Sequence, residues 1–228
     1  MTIGSHLSEV KTLWGSVGCA ETSKCLFTAA EKGVDINAKS ILDTSENAVF
    51  NQHSPFGIAP CLKDLDFVIY GSSSIMSFLD DKGFGNALVP RNGITRAQQY
   101  RWIHIAKDIL APAIIEVCSS NNENCDSSVR MIEAALSHAE EALGSNKKNT
   151  AYLVGDFSLA DIHWISHLHL LLIHGHSNLI SNKPNIDQWL SEIMNRKSTS
   201  KENFTSSDVL PSLDDINNNH IHSVRINA

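Results

Sequence analysis

Nothing in this 228-residue sequence approaches the roughly 20 consecutive apolar residues that span a bilayer. The longest candidate, LHLLLIHGH at 168–176, is short and broken by histidines. The first ten residues, MTIGSHLSEV, hold no apolar core of the kind a secretory signal needs. No stripe of Lys and Arg is visible and the formal net charge is -7, so nucleic acid is not an expected partner. Among the five cysteines, Cys19, Cys25, Cys61, Cys118 and Cys125, none forms a C-x-x-C pair. With no export signal, reduced thiols in a cytoplasmic protein are the simple expectation, although Cys118 and Cys125 flank a polar loop that a bridge would close. Histidines at 163, 167 and 174 can share one helix face, but no H-E-x-x-H pattern accompanies them. They read as core or interdomain residues, and no metal is expected.

What is present is a globular composition, 42% hydrophobic and 19% charged, long enough for one large or two small domains with cores of their own. TLWGSV (12–17) reads as a strand, KCLFTAAEKG (24–33) as a helix ending at Gly33, and VDINAKSIL (34–42) as a second strand. The polar stretch 43–55 reads as a loop with room for a turn of helix. FGIAPCL (56–62) and FVIY (67–70) read as two strands of a hairpin turning at KDLD. GSSSIMSFLDDKG (71–83) carries a helical apolar face, with Ser72 or Ser73 as its cap. The expected order is β-α-β-β-β-α. GFGNALVPRNG (83–93) is a break, and strand signals stop beyond it. Helices are expected over 94–118, with a kink near Pro112, and over 127–143, 157–172 and 186–196. Ser158 and Asp161 have the spacing of a capping box. From Lys197 the chain is polar and Asn/Ser-rich, and reads as a loosely packed tail.

Pro60 sits where an apolar run approaches a strand, a place that proline normally avoids. A cis bond between Ala59 and Pro60 makes a tight turn there and leaves the backbone groups of Ala59 free to hold an extended peptide. A cysteine at a helix N-terminus meets free N–H groups and the positive end of the dipole, which favour a thiolate.

Three ordered stretches, SPFGIAPCL (54–62), FVIYGSSSIMSFLDDK (67–82) and YLVGDFSLADI (152–162), resemble motifs of the cytosolic glutathione S-transferase superfamily. The resemblance covers about Leu13 to Arg196. It implies an α/β thioredoxin-like, glutathione-binding domain over 1–82, a linker over 83–93, an all-α substrate domain over 94–196 and a C-terminal tail over 197–228. It further implies a homodimer that binds glutathione as co-substrate and activates its thiol toward a small electrophile. Cys19 lies where many members carry serine and some carry cysteine, with Ser16 as the alternative hydroxyl. Ala59 and Pro60 correspond to the backbone clamp, Ser72 to the serine that holds the γ-glutamyl carboxylate, and Ser73 is an adjacent donor. The acid that usually precedes that serine is Gly71 here. Ile58 replaces a Lys or Gln, and Ser45 and Glu46 stand where basic residues are usual, with His53 as a possible substitute. Trp102, Ile105 and Ile109 recur at helical spacing where the electrophile pocket is expected. The expected activity is glutathione transfer to an electrophile, or thiol transfer through Cys19; the alternative is a non-catalytic protein of this fold acting in protein–protein interaction.

Overall fold

The computed structural model describes residues 10–16, 18–119, 125–145 and 151–199. The first half is built on a four-stranded sheet of β1 (Lys11–Gly15), β2 (Ile36–Ser40), β3 (Cys61–Asp64) and β4 (Phe67–Tyr70), in the order β2-β1-β3-β4. Strands β1 and β2 are parallel; β1/β3 and β3/β4 are antiparallel. Helix α1 (Ala20–Glu31) makes the crossover between the parallel strands, α2 (Thr44–His53) follows β2, and α3 (Ser72–Lys82) follows β4. This is the thioredoxin-like arrangement anticipated for the N-terminal half.

Two local expectations need correction. Most of 43–55 is helix, not a loop with a single helical turn. Asp43 accepts hydrogen bonds from the backbone N–H groups of Ser45 and Glu46 and starts the ten-residue α2. The Asp43-x-x-Glu46 spacing is a helix-start signal, masked by a helix that buries a single hydrophobic side chain, Phe50. Strand β3 also begins after Pro60 rather than at Phe56, because Phe56, Gly57 and Ile58 lie exposed in a loop.

The second half is helical: α4 (Gly93–His104), α5 (Ala111–Ser119), α6 (Asp126–Gly144), α7 (Leu159–Ile173) and α8 (Pro184–Met194). Between α4 and α5, Ile105–Leu110 is a π-helical segment in which the Ala111 N–H donates to the carbonyl of Ala106, five residues back. Pro112 lacks an N–H and its ring crowds the preceding turn, and the wider π turn accommodates both. The irregularity expected near Pro112 thus takes the form of this π segment just ahead of it.

One apolar core runs through both halves, from Leu13, Phe27 and Met76 to Trp102, Leu110, Trp164 and Leu168. The linker is fixed by a buried ion pair. Lys32 Nζ lies 2.9 Å from Asp80 and donates to the Asn86 carbonyl, while Asp80 accepts from the N–H groups of Leu88 and Val89. Gly83 has to be glycine, since a Cβ there would meet Lys32 Cβ at 2.3 Å. At the other end Arg196 grips Glu31 with two hydrogen bonds of 2.7 and 2.8 Å. Ser198 and Thr199 are buried, so the first residues past Arg196 pack against the body. The remainder of the expected tail, 200–228, lies outside the described residues.

The capping box at the start of α7 is formed. Asp161 accepts from the backbone N–H groups of Leu153 and Ser158, the Ser158 hydroxyl and Trp189 Nε1. Burial nevertheless pushes its carboxyl above the usual range. Asp161→Ala strands several buried donors at once and is expected to cost about 3 kcal/mol or more. A urea-unfolding midpoint equal to that of the unmodified protein would contradict this.

Candidate functional site

Strand register assembles the expected site. Trp14 of β1 pairs with Cys61 of β3, Cys61 pairs with Tyr70 of β4, and Gly15 pairs with Ser40 of β2. The loop after β1 with Ser16 and Cys19, the Ala59–Pro60 turn before β3, and the Gly71–Ser72 start of α3 therefore leave the sheet at the same end.

The Ala59–Pro60 bond is cis. Pro60 is buried, its carbonyl accepts from the Gly71 N–H at 2.9 Å, and Ala59 is partly exposed. Among the described residues neither the N–H nor the C=O of Ala59 has a hydrogen-bond partner. The preceding loop is closed by Ser54, whose hydroxyl accepts from the Ile58 N–H and donates to the Ile58 carbonyl.

Cys19 is the N-cap residue of α1, with an extended backbone, a partly exposed side chain and a free thiol. Its carbonyl accepts from the N–H groups of Thr22 and Ser23, whereas those of Ala20 and Glu21 have no acceptor among the described residues. Ser16 shares this turn: its carbonyl accepts from the Cys19 N–H and its own N–H donates to Thr22 Oγ1. Cys25 and Cys61 are fully buried, and burial raises both thiols, Cys61 to about 11. No disulfide joins Cys118 to Cys125.

Ser72 does not cap α3 as expected. Gly71 is the N-cap, at φ 85, and no side chain caps the helix. The buried Ser72 hydroxyl instead donates to Glu21 Oε2 on α1. Glu21 also accepts from Lys24 Nζ, and Lys24 is fully buried between α1 and the helical half. Burial alone would push the Glu21 carboxyl up, but the Lys24 ammonium and the bonds from Lys24 and Ser72 outweigh it and bring it to about 2. Sequence reading missed Glu21, because its partner Ser72 is 51 residues away. A lysine at 24 with a glutamate three residues earlier looks like an ordinary helix-surface pair.

Ser73 is exposed beside Ser72. His53 ends α2 with its ring 5.2 Å from that of Trp14, whose Nε1 donates to Glu46. Glu46 also pairs with Lys39 at 3.3 Å, and Ser45 bonds to Asp43, so both residues standing where cations are usual belong to α2. Ile105 and Ile109 are partly exposed on the π segment. Trp102 is 1% exposed, stacked on His138 and edge-on to Trp164. It is a core residue that a substrate does not reach in this arrangement.

His163 and His167 of α7 face α1. Both are buried, and among the described residues His163 Nδ1 and His167 Nε2 have no hydrogen-bond partner; the nearest Glu21 oxygen is 3.8 Å from His167 Nε2. Burial and the Lys24 charge hold His163 well below its ordinary value and His167 at about 3; burial holds His169 at about 4. Among the described residues no three His, Cys, Asp or Glu side chains group as a metal site, and no helix is long and apolar enough to cross a membrane.

Comparison with known proteins agrees with this geometry. Residues 18–82 match the family described as "Glutathione S-transferase, N-terminal domain". The chain is 28% identical over 166 residues to a stringent starvation protein A homolog of Haemophilus ducreyi, covering 71% of this chain and 74% of that protein. It is 26% identical over 162 residues to glutathione S-transferase F13 of Arabidopsis thaliana, covering 64% and 72%. The solved structure of glutathione transferase F2 from Populus trichocarpa superposes with a TM-score of 0.70 at 20% identity, over 82% of this chain and 94% of that one, which shows the shared fold.

The histidines predict a pH response. Below pH 6.5 the unfolded chain takes up protons at these imidazoles, while the folded chain does not until about pH 4 at His169 and about 3 at His167. The unfolded state then binds more protons, so stability falls as pH drops from 6.5, on the order of 1 kcal/mol per pH unit for each histidine. The urea midpoint is expected to be lower at pH 5 than at pH 7, with the NMR signals of His163 and His167 unshifted between them. Titration of either imidazole near pH 6.5 would contradict this.

Proposed function

We propose that this chain, whose residues 18–82 match the glutathione S-transferase N-terminal domain, is a glutathione-dependent enzyme of the cytosolic glutathione S-transferase superfamily whose reaction is thiol transfer through Cys19. The observation that carries this reading is the strand register that brings the Cys19 turn, the unpaired backbone of Ala59 and the start of α3 to one end of the sheet. In this reading the extended cysteinyl segment of glutathione pairs with the N–H and C=O of Ala59 as an added strand does. Pro60 fixes that edge, and Ser72 and Ser73 offer their backbone N–H groups to the γ-glutamyl carboxylate. The second substrate approaches from Ile105 and Ile109. The protein acts in the cytoplasm as a homodimer.

Cysteine chemistry selects the reaction. A thiol is a weak hydrogen-bond donor and a poor stabiliser of a neighbouring glutathione thiolate, the step that conjugation to an electrophile requires. As a thiolate it is a strong nucleophile, and the partly exposed Cys19 side chain is open to a substrate disulfide. The Cys19 thiolate attacks the glutathionyl sulfur of a mixed disulfide and the substrate leaves as its own thiolate. A second glutathione thiolate then attacks the Cys19–glutathione disulfide, regenerating Cys19 and releasing oxidised glutathione. Ser16 is the hydroxyl available for conjugation chemistry in the same turn.

A second reading, a protein of this fold that acts by protein–protein interaction, is favoured by one specific observation. Glu46 and Ser45 fill positions where glutathione's glycyl carboxylate would meet cations, and Glu46 is already engaged with Trp14 and Lys39. A relative whose name is not that of a transferase, the stringent starvation protein A homolog, is consistent with it.

Immobilised glutathione separates the two. Retention with release by free glutathione is expected, together with reduction of a glutathionylated peptide that falls at least about 100-fold in Cys19→Ser and Cys19→Ala, since a hydroxyl cannot replace the attacking sulfur. Passage through the column without retention would overturn the enzyme reading. Undiminished thiol transfer in both variants would remove Cys19 from the reaction.

A further inference from the structure

The γ-glutamyl end of glutathione is a free α-amino acid, with an ammonium and a carboxylate on one carbon. At φ 85, Gly71 holds a backbone conformation that L-residues rarely adopt. Glycine relieves that position and removes the acid expected there. The first turn of α1 supplies another. Glu21 stands two residues beyond Cys19, and its carboxylate reaches the start of α3, where it accepts from the Ser72 hydroxyl. Its side chain keeps 36% of its surface exposed, and each carboxylate oxygen has one protein partner, which leaves lone pairs for a further donor. The other side is held by Lys24, which has no contact with water.

We propose that Glu21 is the anchor for the ligand's α-ammonium group, taking over from α1 the part that an acid at position 71 would play. The inference rests on the glutathione reading and deepens it, defining the ligand class as molecules that end in a free α-amino acid. The carboxylate of that amino acid meets the N–H groups of Ser72 and Ser73, which have no acceptor among the described residues. The ammonium meets Glu21. The two charges of the ligand thus lie on adjacent, opposite partners, one from each helix. Because the Ser72 hydroxyl is committed to Glu21, it does not bond the ligand carboxylate; it aims the Glu21 carboxylate instead. The groups facing Glu21 from α7, His163 and His167, are neutral imidazoles, so Lys24 is the cation that Glu21 must balance. A peptide with an ordinary α-linked N-terminus lacks the second charge on the same carbon and is a poor ligand.

Calorimetric titration with S-methylglutathione and its des-amino analogue, glutaryl-S-methylcysteinylglycine, tests this. The wild type is expected to bind the des-amino ligand about 10-fold more weakly or worse, the usual worth of a charge-assisted hydrogen bond. Glu21→Gln is expected to weaken S-methylglutathione by about the same factor and to bind the two ligands alike. Since Glu21→Gln leaves Lys24 without its partner, the double variant Glu21→Gln/Lys24→Met, which removes both charges, is measured beside it and is expected to show the same loss of discrimination. If either folded variant still prefers S-methylglutathione as strongly as the wild type does, the ammonium is held elsewhere and this inference falls alone. If the wild type binds neither ligand at millimolar concentration, the glutathione reading falls and carries this inference with it.

Discussion

An ammonium group with no water around it must meet a carboxylate, and Lys24 meets Glu21. An isolated charge buried in a protein costs several kcal/mol, and removing one partner of a buried pair is far more damaging than replacing both. That constraint ties Glu21 to the inner turn of α1, and through the Ser72 hydroxyl it ties α1 to α3. It also dictates what α7 can present on the same seam: His163 and His167, next to a fixed positive charge and without water, stay neutral. A buried structural pair thus leaves a carboxylate between the Cys19 turn and the start of α3.

The domain interface as a whole follows the same plan of fixed, buried polar contacts within a continuous apolar core. Lys32 and Asp80 hold the linker, Arg196 and Glu31 hold the far end, and Asp161 gathers the loop before α7 and the indole of Trp189. Each places its charge among hydrogen bonds on more than one side, the condition under which buried ionic groups are tolerated. The half that carries the crevice and the half that carries Ile105 and Ile109 are therefore held in one relation, with the π segment widening α4–α5 ahead of Pro112.

Most of the architecture was legible in the chain itself. Apolar periodicity gives α1, α3 and the helices of the second half, short β-branched and aromatic runs mark β1 and β4, and the Ser158–Asp161 spacing announces the start of α7. The cis bond was legible because proline has few ways to precede a strand. Helix α2 was not, since Thr, Ser and Asn dominate it and Phe50 alone is buried, leaving no stripe to read. Strand β3 was placed too early because Phe56 and Ile58 are apolar yet exposed. Of the residues proposed for the site, Cys19, Ala59, Pro60 and Ser72 were named from the sequence, whereas Glu21 was not. Its significance comes from a partner on another helix and a buried lysine behind it, and neither leaves a mark within one helical turn of sequence. Trp102 illustrates the converse: helical spacing places it on a face but does not say whether that face meets substrate or core.

The departures from the superfamily pattern have a common sense in this structure. Glycine at 71 and glutamate at 21 read as one exchange, while glutamate at 46 belongs to the packing of α2 on Trp14. The proposed binding mode puts the γ-glutamyl end of glutathione at the start of α3, its backbone against Ala59 and its sulfur toward Cys19. The most direct test is a crystal structure at saturating glutathione. The account predicts the cysteinyl backbone paired with Ala59, the ammonium within hydrogen-bond distance of Glu21, and the sulfur facing Cys19. A crevice filled by the protein's own side chains, or a ligand bound elsewhere, would contradict it.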